Sequence, residues 1–256
     1  MAGVAVAVVV IGIRLCAPVI RSYYHSTQMW TLALDTTTRR GGAALALDGE
    51  VVEEIASAPD RSAAARLPGE LMTLLGRHGL HTGDLDVFAV ATGPGSFTGL
   101  RIGIATMQGL AFATGRPLIG ISGLDALADI ATRQGRTRVA TWVNAWRGEV
   151  FAALYENGRQ TVAPVVDRPE AVLVKMTGSP VIWFMGDGAQ TYRSNIAAAL
   201  SAGAAFETEP EPLVVGSIAR LAAQAARAGA NPAPHAIVPL YVRRPDAELA
   251  KSRQRG

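Results

Sequence analysis

The stretch GPGSFTGLRIGIATMQGLA, residues 93–111, constrains the fold more than any other. After Gly93, Gly95 and Gly99 it runs on as a helix whose single charge is Arg101. One side of that helix carries Gly99, Ile102, Gly103, Thr106 and Gly109; another carries Leu100, Ile104, Met107 and Ala111. Neither side suits water, and a helix that is apolar all round must be covered all round. Each glycine inside it costs about 1 kcal/mol relative to alanine, which points to the close approach of another backbone. A sheet covers one side. The other needs the leucine-rich helix around Leu67, Leu71 and Leu75, a partner chain, or both.

The glycines also invite a chemical reading, because clustered backbone N–H groups at a helix start hold anions. The details do not fit. A triphosphate loop needs lysine and then Ser or Thr after its last glycine, but Leu100 and Arg101 follow Gly99. The dinucleotide pattern needs glycine where Thr98 stands, and a nucleophile elbow needs glycine where Pro94 and Thr98 flank Ser96. The alternative is a tight turn that starts a helix capped by Ser96 or Thr98.

Elsewhere the pattern is α/β. WTLAL (30–34), GGAALAL (41–47) and VVEEIAS (51–57) read as a three-stranded meander, with Asp48–Gly49 as a hairpin turn and Asp35 at the tip of the first strand. A leucine-rich helix over 62–78 becomes regular near Pro68. LDVFAVATG (85–93) is a buried strand entering the glycine loop, PLIGIS (117–122) a short strand, and GLDALADIATRQ a helix. A looser second round follows: two strands about a turn at 145–148, a mixed linker and helix over 162–177, a buried strand in SPVIWFMGDGAQ, and helices at 192–201 and 214–228. The predicted architecture is two α/β lobes, 29–130 and 131–256, the second ending in a basic tail with Arg243, Arg244, Lys251, Arg253 and Arg255.

The net charge of +3 permits contact with nucleic acid without arguing for it, and no dense basic stripe is visible. The one cysteine, Cys16, excludes an intrachain disulfide and suits a reducing cytoplasm. Residues 1–28 stand apart. Their apolar run, AVAVVVIGI, is far shorter than the roughly 20 residues of a spanning helix, and no basic residue precedes it. They read as a mis-assigned start or dispensable leader ahead of Met29, with a weak membrane or targeting segment as the alternative.

No catalytic set is evident. The four histidines are His25, His78, His81 and His235; His78 and His81 straddle Gly79 and lack a third metal ligand. The best single candidate is Asp35 with Thr36, an acid at a strand's carboxyl end able to hold a metal-bound phosphate. Gly186 and Gly188, about Asp187, would supply a glycine turn from the other lobe. The competing reading is a strand-end acid that caps a turn.

Asp35–Thr36–Thr37, GPGSFTGLRIG with MQGLA, GISGLDALA (120–128), NAWRGEVF (144–151) and PLYVRRPDAE (239–248) together resemble the TsaB (YeaZ) family. Its members are the non-catalytic dimerisation subunits of the bacterial complex that forms threonylcarbamoyladenosine in tRNA. The resemblance covers residues 29–248 and implies a two-lobed actin-like, Hsp70-like ATPase fold with ribonuclease-H-like halves. It implies a heterodimer with a TsaD-type catalytic subunit, a homodimer when alone, a TsaE-type ATPase in the full complex, and tRNA reached through that complex. The resemblance further implies no membrane association and no required cofactor, and it allows ATP or ADP as a ligand at the partner interface. The interface implied uses helices equivalent to 67–78 and 97–113, hence Leu67, Leu71, Leu75, Phe97, Leu100, Gly103, Ile104 and Met107. There are departures: Asn144 and Trp146 stand where the family has Asp and Arg, Ser62–Ala63 replaces a His-Ser pair, and Gly186–Asp187–Gly188 replaces a G-N-G turn. They weaken a nucleotide role and leave the packing surface intact. Two other readings remain: an ATPase, kinase or peptidase of the same fold, and an RNA-binding module using the basic tail.

Overall fold

The computed structural model describes residues 28–38, 40–57, 63–176, 181–207 and 212–240, with side chains in its first helix from Leu67 onward. The leader with Cys16 and His25, Ser62, and the basic tail from 241 lie outside the described residues. The meander forms as expected: β1 (Trp30–Asp35), β2 (Gly42–Leu47) and β3 (Glu50–Ala56) are antiparallel neighbours. β4 (Val87–Ala91) joins β1 in parallel and β5 (Leu118–Ile121) joins β4, giving the order β3-β2-β1-β4-β5. Helices α1 (Ala63–Arg77) and α2 (Phe97–Thr114) connect these strands, and α3 (Gly123–Arg133) leads to the second sheet.

That sheet has the order β10-β9-β6-β7-β8. Its strands are β6 (Arg138–Asn144), β7 (Val150–Glu156), β8 (Arg159–Asp167), β9 (Ile182–Met185) and β10 (Ala204–Phe206). Read from its other edge, the order repeats that of the first sheet: a central strand, two strands joined by antiparallel pairings on one side, two joined by parallel pairings on the other. Helices α4 (Pro169–Val174), α5 (Asp187–Thr191) and α6 (Arg193–Leu200) belong to this half, and α7 (Val215–Arg227) is the last α-helix among the described residues. No helix among the described residues is long and apolar enough to cross a membrane.

Alternation along the first sheet sorts its neighbours. Leu32, Leu34, Leu45, Phe88 and Val90 face one side, where Leu67, Leu71, Leu74 and Leu75 of α1 and Leu100, Ile104 and Met107 of α2 pack. Ala33, Ala44, Ala46, Ala89 and Ala91 face the other, and that shallow surface receives Ile218, Ala219 and Ala222 of α7. Leu124, Ala128 and Ala131 of α3 extend the same core to Val139, Ala153, Tyr155 and Met185 of the second sheet. The far side of that sheet holds Trp142 and Phe184, edge to face at 5.6 Å, with Val172 of α4 and Ile196 of α6.

Three expectations are corrected. The chain does not divide once near residue 130, because α7 and the segment after it return to the first sheet. Gly216 N donates to Glu54 Oε2 at 3.1 Å, Gln108 Nε2 to the carbonyls of Pro234 (3.0 Å) and Ile237 (3.1 Å), and Leu240 N to Thr92 O at 2.7 Å. The alanine face must be covered, and an amphipathic helix from the end of the chain covers it. Residues 162–167, read as the first part of a linker and helix over 162–177, belong to the edge strand β8, where Pro164 is tolerated because an edge leaves some N–H groups unpaired; the helix of that stretch is α4. Helix α1 begins at Ala63 and carries Pro68 inside it; Pro68 is exposed, and the buried leucines hold the helix through the missing bond.

The two central helices are joined by charge as well as by packing. Arg220 Nε of α7 donates to Asp129 Oδ2 of α3 at 3.0 Å, and its Nη2 meets Oδ1, a two-pronged contact with Asp129 almost fully covered. Burial pulls the Arg220 guanidinium below its usual pKa, and Glu50 opposes this. Asp129→Ala strands that guanidinium at the join between the two halves. It should cost about 2–3 kcal/mol in urea unfolding, and a loss within 0.5 kcal/mol of zero would show the pair to be dispensable.

Candidate functional site

β1 ends on Asp35, fully buried, and its carboxylate is spent on its own turn. Oδ1 accepts from Thr37 N and Thr37 Oγ1, both at 2.7 Å, and Oδ2 accepts from Thr38 Oγ1 at 2.7 Å. Thr36 Oγ1 reaches away from the strand and donates to Gly99 O at 2.7 Å. Thr37 O accepts from Ser96 N at 2.9 Å. The glycine loop is thus laid directly onto the Asp35 turn, and Ser96 caps α2 by accepting from Gly99 N at 3.2 Å.

This contact explains the glycines. A β-carbon on Gly99 would fall on the Thr36 carbonyl oxygen, one on Gly103 on Thr36 Oγ1, and one on Gly95 on the Thr37 carbonyl oxygen. The backbone approach inferred from the helix glycines is real, and the approaching backbone is the chain's own first strand end. In chemical terms the arrangement caps a turn and seats a helix.

Gly186 and Gly188 do comparable work in the second half. Gly186, at φ +98°, closes β9, and a β-carbon there would fall on the Trp142 carbonyl oxygen. One on Gly188 would lie 2.9 Å from the same carbonyl. The two glycines let α5 settle against β6, where Asp187 Oδ1 accepts from Asn144 N at 3.0 Å. Asp35 and Thr36 end a strand of one sheet, Gly186 and Gly188 follow a strand of the other, and no hydrogen bond joins the two groups among the described residues. No group of three or more His, Cys, Asp or Glu among the described residues is placed to hold a metal. His78 is engaged by Glu53, Nε2 to Oε2 at 2.7 Å, while His81 is exposed beside Asp84. The hydrogen bonds from His78 and then Arg77 hold the Glu53 carboxyl below its usual range.

The interface residues expected from the sequence need correction. Leu67, Leu71, Leu75, Leu100, Ile104 and Met107 are each at most 5% exposed, and Gly103 is buried against Thr36. They are core residues facing the first sheet. What the two helices turn outward is a different stripe: Phe97, Arg101, Ala105, Gly109 and Phe112 on α2, with Met72 on α1. Phe112 is 85% exposed, Phe97 51% and Met72 46%, and Arg101 lies over the Phe97 ring at 4.0 Å. Of the expected set, Phe97 alone faces outward. The signal for this third side was present in the sequence, because the lone charge of the helix, Arg101, sits on it.

The family model for TsaD, tRNA N6-adenosine threonylcarbamoyltransferase, matches residues 49–251. The tRNA threonylcarbamoyladenosine biosynthesis protein TsaB of Escherichia coli is 36% identical over 173 residues, 64% of this chain and 74% of that protein. The structure of YeaZ from Pseudomonas aeruginosa superposes with a TM-score of 0.73 at 31% identity, over 83% of this chain and 99% of that one. The chain belongs to the TsaB (YeaZ) family. Component A of the (R)-2-hydroxyglutaryl-CoA dehydratase of Acidaminococcus fermentans matches over 78% of this chain and 99% of its own, at 12% identity and a TM-score of 0.50, and this bears on fold alone. The fold is the actin-like one of two similar α/β halves, as the resemblance implied.

The TsaB family's glycine block therefore has a definite physical demand on it in this chain. Gly99→Ala should not be accommodated and should cost at least about 3 kcal/mol, because the obstruction is a backbone carbonyl. Gly109, with open space at its β-carbon, should gain up to about 1 kcal/mol as alanine. Equilibrium denaturation of the two variants tests the contrast, and equal effects would refute it.

Proposed function

We propose that this chain is a non-catalytic subunit of the machinery that forms threonylcarbamoyladenosine in tRNA, pairing with and activating a TsaD-type catalytic subunit. The observation that carries the reading is the outward stripe of α2 with Met72 of α1. These helices bury one face in the chain's own core and still present Phe97, Phe112 and Met72 to solvent. Small residues, Ala105 and Gly109, lie between the two phenylalanines, so another helix can approach closely. Large exposed side chains around a small-residue strip are the features of a helix-to-helix association surface. The name of the Escherichia coli relative supplies the pathway.

In this reading the same stripe supports a homodimer when the chain is alone and the heterodimer when the catalytic subunit is present. A TsaE-type ATPase joins the assembly, and tRNA is reached through it. A nucleotide, ATP or ADP, belongs at the partner interface. The Asp35 turn serves it poorly, since both carboxylate oxygens there already accept hydrogen bonds from Thr37 and Thr38.

Size-exclusion chromatography with light scattering, on the chain alone and mixed with the catalytic homologue of the same genome, tests the pairing. A homodimer that exchanges into a heterodimer is expected; a monomer indifferent to that partner would sink the reading. Phe97→Asp combined with Phe112→Asp should weaken association at least tenfold with the melting temperature unchanged. Leu71→Ala should do the reverse, losing about 2–5 kcal/mol of stability while the folded fraction still pairs.

A further inference from the structure

The sequence shows no basic stripe, yet the fold assembles one at the amino end of β6. Arg133 closes the last turn of α3, Arg136 follows in the connection, Arg138 opens β6, and Arg159 opens β8. Strand register brings the last two together, because Arg138 pairs with Glu156 and Glu156 with Arg159. The β7–β8 turn is tied to the same end by Asn157 N donating to Thr137 O at 2.7 Å. The neighbouring strand contributes Trp183, which pairs with Val139 and carries the Arg136 guanidinium 3.4 Å above its ring.

The charges here are poorly balanced. Glu156 is engaged by Arg138, Nε to Oε1 at 3.2 Å. Arg133, Arg136 and Arg159 have no carboxylate partner among the described residues, and Arg136 Nε is buried without a hydrogen-bond acceptor. A favourable helix dipole accounts for Arg133 at a helix carboxyl terminus. It does not account for Arg136 or Arg159, which lie on other elements.

We propose that Arg133, Arg136 and Arg159 form a binding surface for the phosphate backbone of RNA. Guanidinium groups suit phosphate because their planar forks match its oxygens. Three of them on three elements, around an open end of a sheet, fit a run of phosphates better than a single small anion. Trp183 holds the Arg136 plane in place. The layers keep this surface clear of the proposed subunit contact: the outward stripe of α2 lies beyond the first sheet, and α3 and α7 stand between the two sheets. The proposal rests on the reading that this chain works in a tRNA-modifying complex, and it adds a direct contact to the substrate.

The test is fluorescence anisotropy of labelled tRNA with the assembled two-subunit complex over a series of salt concentrations, using the full chain with its basic tail intact. The Arg133→Glu, Arg136→Glu, Arg159→Glu variant should bind at least tenfold more weakly at low salt. The slope of log affinity against log salt should fall by about 2–3. Light scattering should show the same complex mass as wild type. An intact variant complex with unchanged tRNA affinity and slope overturns the proposal. So does loss of assembly that alone explains the lost binding, which would make the surface a protein contact. If the triple variant does not fold, the exposed pair Arg133→Glu, Arg159→Glu carries the same test. Should the wild-type subunits fail to assemble, the pairing reading has failed. Anisotropy with the chain alone then decides: a salt-dependent deficit in the variant upholds the surface and no difference overturns it.

Discussion

Thr36 sits between two demands that meet at one point. Its carbonyl and hydroxyl oxygens occupy the space that side chains on Gly99 and Gly103 would fill, and its hydroxyl hydrogen bonds to Gly99 O. This contact welds α2 to the end of β1, with the Asp35 carboxylate holding the turn from below through Thr37 and Thr38. The position of α2 follows from it. With its first turns pressed onto the strand end, Leu100, Ile104 and Met107 meet the large side of the sheet, and Phe97, Arg101 and Phe112 are left pointing away. A surface available to another chain is thus a geometric consequence of an internal close contact.

The same sheet shows how side-chain size distributes labour between its faces. Leucines and Phe88 on one face need bulky, curved cover, and the leucine helix α1 gives it. Alanines on the other allow α7 to lie close, and α7 in turn brings α3, so one continuous apolar core reaches from the first sheet to the second. The Asp129–Arg220 pair lies within that join. Because charges almost removed from water are costly unless matched, the pair favours one register of the two helices over neighbouring ones.

Much of this was legible in the sequence. The meander, the helix glycines and the leucine helix declare themselves through period and turn chemistry, since each depends on neighbours in the chain. Three features did not. The edge strand β8 carries too mixed a pattern, with Pro164 inside it, for alternation to stand out. The return of α7 to the first lobe depends on an alanine surface built from strands far earlier in the chain, which no local window contains. The outward side of α2 does not stand out in the sequence, because small residues make every side look coverable; burial separates the sides, and the local clue is Arg101. The glycine turn at Gly186 was visible as a turn, but its purpose, the approach of α5 to β6, depends on a Trp142 carbonyl across the sheet.

The two halves share a strand order and differ at the ends of their central strands. In the first, β1 ends in a carboxylate fully engaged by its own turn and sealed by a glycine loop. In the second, β6 ends at Asn144, whose Oδ1 accepts from Trp146 N at 2.9 Å, and the chain then turns through left-handed Trp146 and Arg147. Side chains with a β-carbon cost about 1–2 kcal/mol each in that region, and Trp146 is 70% exposed, so packing does not offset the strain. Here one end has its acceptors occupied and the other gives its first hydrogen bonds to Asp187 and to its own turn. Other exposed features lie elsewhere: Phe97 and Phe112 with Gly109 between them on the outward stripe of α2, and Arg133 and Arg159 at the arginine end of the second sheet. The two strand ends themselves differ in kind: one is an acid locked into its own turn, the other an amide that caps a strained, exposed one.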